Sequence, residues 1–196
     1  MKNKIIFLSF LFLAFSSLLT LSLIYANESP PLDTLSVEGY INGVLNQEYS
    51  LKDDKLEGPS REYYDNGRLK AERNFKDGIP HGPYQTYYDN GQVWAQGSYD
   101  QGKLVGTVKG YYKNGQLQGI WAYNKDGFME GIARMYYENG KLLAEDNYAD
   151  NVLHGFSKGY DQDGRLQYIE AWLNGRRGNR KEFDTNGNIT SDVTFP

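Results

Sequence analysis

The chain has 196 residues, 22 glycines, 17 tyrosines and no cysteine, with 21 bases against 25 acids. That is room for one domain or one short array of repeats, and the absent thiol excludes a disulfide framework, a thiolate metal site and a cysteine nucleophile. Many glycines and tyrosines with few aliphatic runs point to short strands and tight turns, not to a helical core.

Met1–Lys4 carries two lysines, and Ile5–Ile24 (IIFLSFLFLAFSSLLTLSLI) holds no charge. A basic start, an apolar stretch and a small residue at Ala26 read as an export signal over residues 1–26. The run is also long enough to span a bilayer as a hydrophobic helix. It is therefore either cleaved after Ala26 or kept as a signal anchor through residues 5–24. Both outcomes leave the lysines inside and place the rest of the chain in the periplasm, at the cell surface or in the medium. With no cysteine at the end of the leader, a bacterial lipoprotein anchor is excluded. The leader holds two of the 21 bases and no acid, so the remainder has 19 bases against 25 acids, a formal charge of −6. Such a surface repels a phosphate backbone and anionic lipid. Nucleic acid is not an expected partner, and the membrane is one only through an uncleaved leader.

Residues 27–35 form a linker, stiffened at Ser29-Pro30-Pro31. A repeat array then begins. Asn-Gly or Asp-Gly pairs end at Gly67, Gly91, Gly115, Gly140, Gly164 and Gly187, at steps of 24, 24, 25, 24 and 23 residues. Nine residues before each stands a second glycine: Gly58, Gly82, Gly106, Gly131, Gly155 and Gly178. One offset kept six times is a repeat, here over residues 55–196. Residues 36–54, with Asn42-Gly43, Leu45 and Leu51 in corresponding places, read as a degenerate unit capping the stack.

Each unit reads as a β-hairpin, because Asn and Gly accept the positive φ that a tight turn needs. A second turn closes each unit, for example Lys76-Asp77-Gly78 and Asp100-Gln101-Gly102. The extra residue of the third unit falls near Asn124, where a loop or bulge absorbs it.

Three columns of side chains recur: Tyr63, Tyr87, Tyr111, Tyr136, Tyr160 and Phe183; Leu69, Val93, Leu117, Leu142, Leu166 and Ile189; Phe75, Tyr99, Tyr123, Tyr148, Trp172 and Phe195. A three-residue loop with a left-handed glycine pairs Tyr63 with Leu69 and is expected to put all three columns on one face. The neighbouring position holds Tyr64, Tyr88, Tyr112 and Tyr137, but then Asp161 and Asp184. A place that accepts Asp is expected to be exposed, so this tyrosine stripe is the candidate interaction surface.

The spelling G-x(4)-Y-Y-x-N-G-x-L, a unit of about 24 residues and a closing D-G turn resemble the bacterial variant of the MORN repeat. PHGPYQTYYDNGQV at Pro80–Val93 is close to that family's phrasing, and LHGFSKGYDQDGRL at Leu153–Leu166 is a divergent copy. The resemblance implies an all-β fold: an elongated single-layer antiparallel sheet of stacked hairpins, here preceded by the apolar helix of the leader. Such chains are similar to YwqK-type antitoxins of toxin–antitoxin systems. An exported leader departs from a cytoplasmic antitoxin and fits an immunity protein outside the membrane. The family supplies no catalytic residue.

His81 and His154 occupy one position in two units, three units apart. At two strands of ~4.8 Å per unit that is roughly 29 Å, too far to share an ion. No cofactor, metal site or catalytic group is singled out. The expected function is an exported, non-enzymatic protein-interaction module, with an envelope protein or a toxin as partner. The alternative is a module binding cell-wall glycan or the membrane surface.

Overall fold

The computed structural model of the protein describes residues 19–22 and 34–195. The expected leader helix lies outside the described residues, except at Leu19–Ser22, which form a short strand, β1. The next hairpin is β2 (Thr34–Ile41) and β3 (Val44–Lys52). Three more follow: β4 (Lys55–Tyr63) with β5 (Leu69–Lys76), β6 (Ile79–Tyr87) with β7 (Val93–Asp100), and β8 (Lys103–Tyr111) with β9 (Leu117–Tyr123). Then come β10 (Gly131–Tyr136) and β11 (Leu142–Ala149), a two-residue piece β12 (Val152–Leu153) on the end of β11, β13 (Gly155–Tyr160) with β14 (Leu166–Leu173), and β15 (Arg176–Phe183) with β16 (Ile189–Thr194). All belong to one open antiparallel sheet in which neighbours in the chain are neighbours in space.

The two edges of the sheet use different turns. At the Asn-Gly edge the Gly67 amide donates to the Tyr64 carbonyl at 2.8 Å, and the Tyr64 amide donates to the Arg68 carbonyl at 2.8 Å. That is the expected three-residue loop, and Gly67 has φ 77°. The corresponding Gly91, Gly115, Gly140, Gly164 and Gly187 are left-handed as well. At the opposite edge the loops have two residues, such as Asp77-Gly78 with φ 53° and 82°. This pair of positive values suits the right-handed twist of a hairpin. The third unit, one residue longer, replaces that turn with a three-residue loop. The Gly127 amide donates to the Asn124 carbonyl, and the Asn124 side chain accepts from the Asp126 and Phe128 amides.

The three columns do not share a face. Tyr63 does pair with Leu69, but the next pair is Glu62 with Ala71, so Lys70 is an extra, bulged residue. The same slip recurs at Trp94, Gln118, Leu143, Gln167 and Thr190. One extra residue reverses which face every later side chain takes. The columns of Tyr63 and Leu69 therefore lie on one face, and the column of Phe75 lies on the other.

Candidate functional site

The face bearing Phe75 is the aromatic one, and the most buried apolar residues (Val37, Ala71, Val108, Ala133 and Ala144) all lie on it, together with the Arg73–Glu62 and Arg180–Glu170 ion pairs, each at 2.6 Å. Its rings sit against glycine. Phe75 is paired with Gly58, Tyr99 with Gly82, Tyr123 with Gly106, Tyr148 with Gly131 and Trp172 with Gly155. This explains the second glycine of each unit: it bulges the strand with positive φ and bares backbone for the opposing ring. Gly178 is not left-handed. The last step of the array is a residue shorter, and only one residue is left over there between the pairs Glu170–Arg180 and Trp172–Arg177. A second set of rings fills gaps left by small residues. A Cβ at Gly97 would stand 2.8 Å from the Tyr84 ring and 2.9 Å from Val108. Tyr84 packs on Tyr99 at 4.9 Å between centroids. Burial, and then the neighbouring Tyr99 and Tyr123, push the Tyr84 phenol up to about 12.

The opposite face carries a polar row one residue wide, running strand by strand across the sheet. Glu38, Glu48, Arg61 and Glu72 begin it, Gln85 and Gln96 follow, and Lys109 comes next. Ile120, Arg134, Glu145 and Lys158 extend it, and Ile169, Lys181 and Asp192 end it. Most charges are paired within the row. Arg61 binds Glu48 at 2.7 Å and Glu72 at 2.8 Å, and the Tyr63 hydroxyl donates to Glu48 at 2.9 Å. Burial works against the Glu48 carboxylate, but the bonds from Arg61 and Tyr63 outweigh it and hold the group below the usual range. Burial, then the bond to Glu48, pushes Tyr63 up to about 12. Arg134 and Glu145 meet at 2.9 Å. No spacing argument from the sequence places these residues in one row, because the bulges shift the parity between them.

The candidate tyrosines are half-buried rather than exposed, and their hydroxyls are engaged. Tyr64 donates to the carbonyl of Tyr87, Tyr88 to that of Tyr111, Tyr112 to that of Tyr136 and Tyr137 to that of Tyr160, all at 2.7–2.8 Å. Each bond ties one hairpin to the next. The turn asparagines do likewise: the amides of Asn66, Asn90 and Asn139 donate to the carbonyls of Asp89, Lys113 and Gln162. Where the stripe changes to Asp161 and Asp184, the carboxylate accepts from backbone amides of its own turn and makes no reach forward. The opposite edge is tied too, with the Gly78 and Gly102 amides donating to the carbonyls of Leu56 and Pro80. The repeated word is thus a junction code: the turn glycine shapes the loop, and Tyr and Asn bond the loop to its neighbour.

Four stretches, residues 56–77, 80–101, 104–125 and 129–150, match the family described as the MORN repeat variant. These four stretches are similar to MORN-variant repeats. Each match opens at the strand leading toward the Asn-Gly loop, so the matched unit and the structural hairpin coincide. The last two hairpins, β13–β14 and β15–β16, continue the sheet beyond the matched stretches, with Asp in place of the junction tyrosine. No curated protein matches the chain.

His81 stands 3.2 Å from an Asp100 carboxylate oxygen, and His154 stands 3.2 Å from the Asn174 amide oxygen. The two histidines have separate neighbours. Among the described residues, no group of three His, Cys, Asp or Glu side chains is placed to hold a metal.

Proposed function

We infer that the protein is an exported, non-enzymatic interaction platform whose partner is an envelope protein or a toxin. One observation carries this reading: the aromatic face is a single layer, with no second sheet or helix laid over it among the described residues. Tyr99, Tyr123, Tyr148 and Trp172 are half-buried there in register, with Tyr84 packed on Tyr99. Stiff rings with a polar tip lose little rotamer entropy on binding and supply large contact area. The ties at both edges favour a rigid platform. Tyr64, Tyr88, Tyr112 and Tyr137, half-buried at the Asn-Gly edge, extend the surface past the rim. MORN repeats are interaction scaffolds, which supports a binding role over a catalytic one. An immunity-like role toward an exported toxin is the form of that binding we favour for a chain with an export leader.

The test is crosslinking of full-length protein in its own cells, identification of what is captured, and reconstitution of the pair from purified parts. Tyr99→Glu and Tyr123→Glu, in protein still folded by circular dichroism, should abolish the reconstituted complex. Capture that survives both changes, or no captured protein at all, would refute the reading.

A further inference from the structure

The polar row changes character at one place. On most strands it holds a charge or an isoleucine, but on β6 and β7 it holds two adjacent amides, Gln85 and Gln96. They form the centre of a directional hydrogen-bond chain. The Tyr87 hydroxyl donates to Gln85 Oε1 at 2.8 Å, Gln85 Nε2 donates to Gln96 Oε1 at 3.1 Å, and Gln96 Nε2 donates to the Tyr111 hydroxyl at 3.1 Å. Each amide nitrogen carries two hydrogens, and this chain uses one of each. The Tyr111 hydrogen is left as a further donor. Arg61 occupies one oxygen of Glu72 and leaves the other as an acceptor.

Gln85, Gln96 and Glu72 line a hollow of about 530 Å³ across β5–β8, with Asn74, Pro83, Tyr84, Ser98, Thr107 and Lys109 also on its walls. The volume lies within the usual range for a small-ligand site, and the lining mixes the apolar surface of Pro83 and Tyr84 with amides and hydroxyls. The polar groups are chiefly amides and hydroxyls, and the two charges, Glu72 and Lys109, have opposite sign. A ligand matched to this lining is uncharged and rich in groups that both donate and accept. The hollow does not stand alone on this face. Smaller ones of about 180 and 200 Å³ lie along the same track, over Ser50, Pro59 and Arg61 and over Asn147, Phe156 and Lys158. The ligand is therefore long as well as neutral.

We propose that the Gln85–Gln96 trough is a binding site for a neutral, linear oligosaccharide laid across the strands. An extended peptide fits less well. Peptides add to sheets by pairing backbone at an open edge, whereas here the backbone of β6 and β7 is already paired on both sides. Recognition in mid-sheet has to come from side chains alone, and glycan hydroxyls match amides and a carboxylate in both directions. The site stands on this face only and does not rest on protein docking at the aromatic one.

Chitotetraose and cellotetraose are titrated into full-length protein held in a detergent without a sugar headgroup, and the side-chain amide signals of Gln85 and Gln96 are followed by NMR. At least one tetramer should shift both signals saturably and bind tighter than its own dimer. Gln85→Ala with Gln96→Ala should weaken binding by about tenfold, a loss of roughly 1.4 kcal/mol. Thr107→Val, which leaves the amide chain whole, should weaken it several-fold without changing the melting temperature. The assignment is overturned by no shift with either tetramer at millimolar concentration, by binding that the variants leave intact, or by a neutral Ser/Gln peptide that saturates the trough when neither sugar does.

Discussion

Replacing the four junction tyrosines with phenylalanine isolates the tie between hairpins. Tyr112→Phe keeps the ring and removes only the hydroxyl that donates to the Tyr136 carbonyl at 2.7 Å. A bond of this kind is worth roughly 0.5–1.5 kcal/mol net, and more if the half-buried carbonyl finds no water in its place. Tyr64, Tyr88 and Tyr137 make the same bond at successive junctions. The junctions are one hairpin apart, about 10 Å at two strands each. Changes at that separation add with little coupling, so the quadruple variant should lose roughly 2–6 kcal/mol. A repeat array is a chain of units coupled only to their neighbours. Weaker junctions should therefore broaden the urea transition as well as lower its midpoint. Urea melts followed by circular dichroism measure both. A quadruple variant melting at the parental midpoint with parental steepness would show that the tyrosines are surface groups, and the junction reading would fall.

Arg180 holds the Glu170 carboxylate at 2.6 Å, and Glu170 is only 5% exposed. Arg180→Leu leaves that buried carboxylate with Arg177 alone, at 3.3 Å, and should cost roughly 2–4 kcal/mol. Adding Glu170→Leu should recover most of the loss, and a double variant less stable than the single one would contradict the buried-pair account. Alkaline pH acts on the phenols. Burial raises Tyr84 and Tyr63 to about 12 from an ordinary 10, so the folded state favours their neutral forms. Their contribution to stability is complete below pH about 10 and is lost between about 10 and about 12. Urea midpoints should fall across that window and less so in Tyr84→Phe, whereas a fall already complete below pH 10 would assign the sensitivity to other groups.

The hairpins, their loop lengths and the left-handed glycines were legible because each is encoded within a few residues. Asn66-Gly67 shapes its own turn, and the insertion near Asn124 could be placed by counting. The faces were not legible, because facing depends on parity summed along the strand. Lys70 looks like any strand residue, yet the pairs on either side of it make it a bulge. Its equivalents Trp94, Gln118, Leu143, Gln167 and Thr190 share no chemistry that would announce the same role. The burial of the tyrosine stripe was not legible for a related reason. Asp161 suggested exposure, but Asp at that place makes a different bond, inward to its own turn, while Tyr reaches forward to the next. Substitution of a residue shows that its bond has changed, not that the position is free.

A repeated sequence spends its repeated positions on joining one unit to the next. In this chain the Tyr, Asn and Gly of the shared word serve the loop and the junction, and the second glycine serves the opposing ring. Residues kept in every unit therefore report the architecture. Specificity for a ligand has to come from places where the units differ, and Gln85 and Gln96 are such a place: the row they occupy holds Arg61 and Glu72 in the unit before and Lys109 and Ile120 in the unit after. On this logic, exchanging Gln85 and Gln96 for the Arg and Glu of the preceding unit should preserve the sheet, since that pair already bonds at 2.8 Å in the same setting. The exchange should remove the uncharged trough at the same time. A fold that keeps its melting point while the trough loses its ligand would separate the two uses of the sequence, one for stacking and one for recognition.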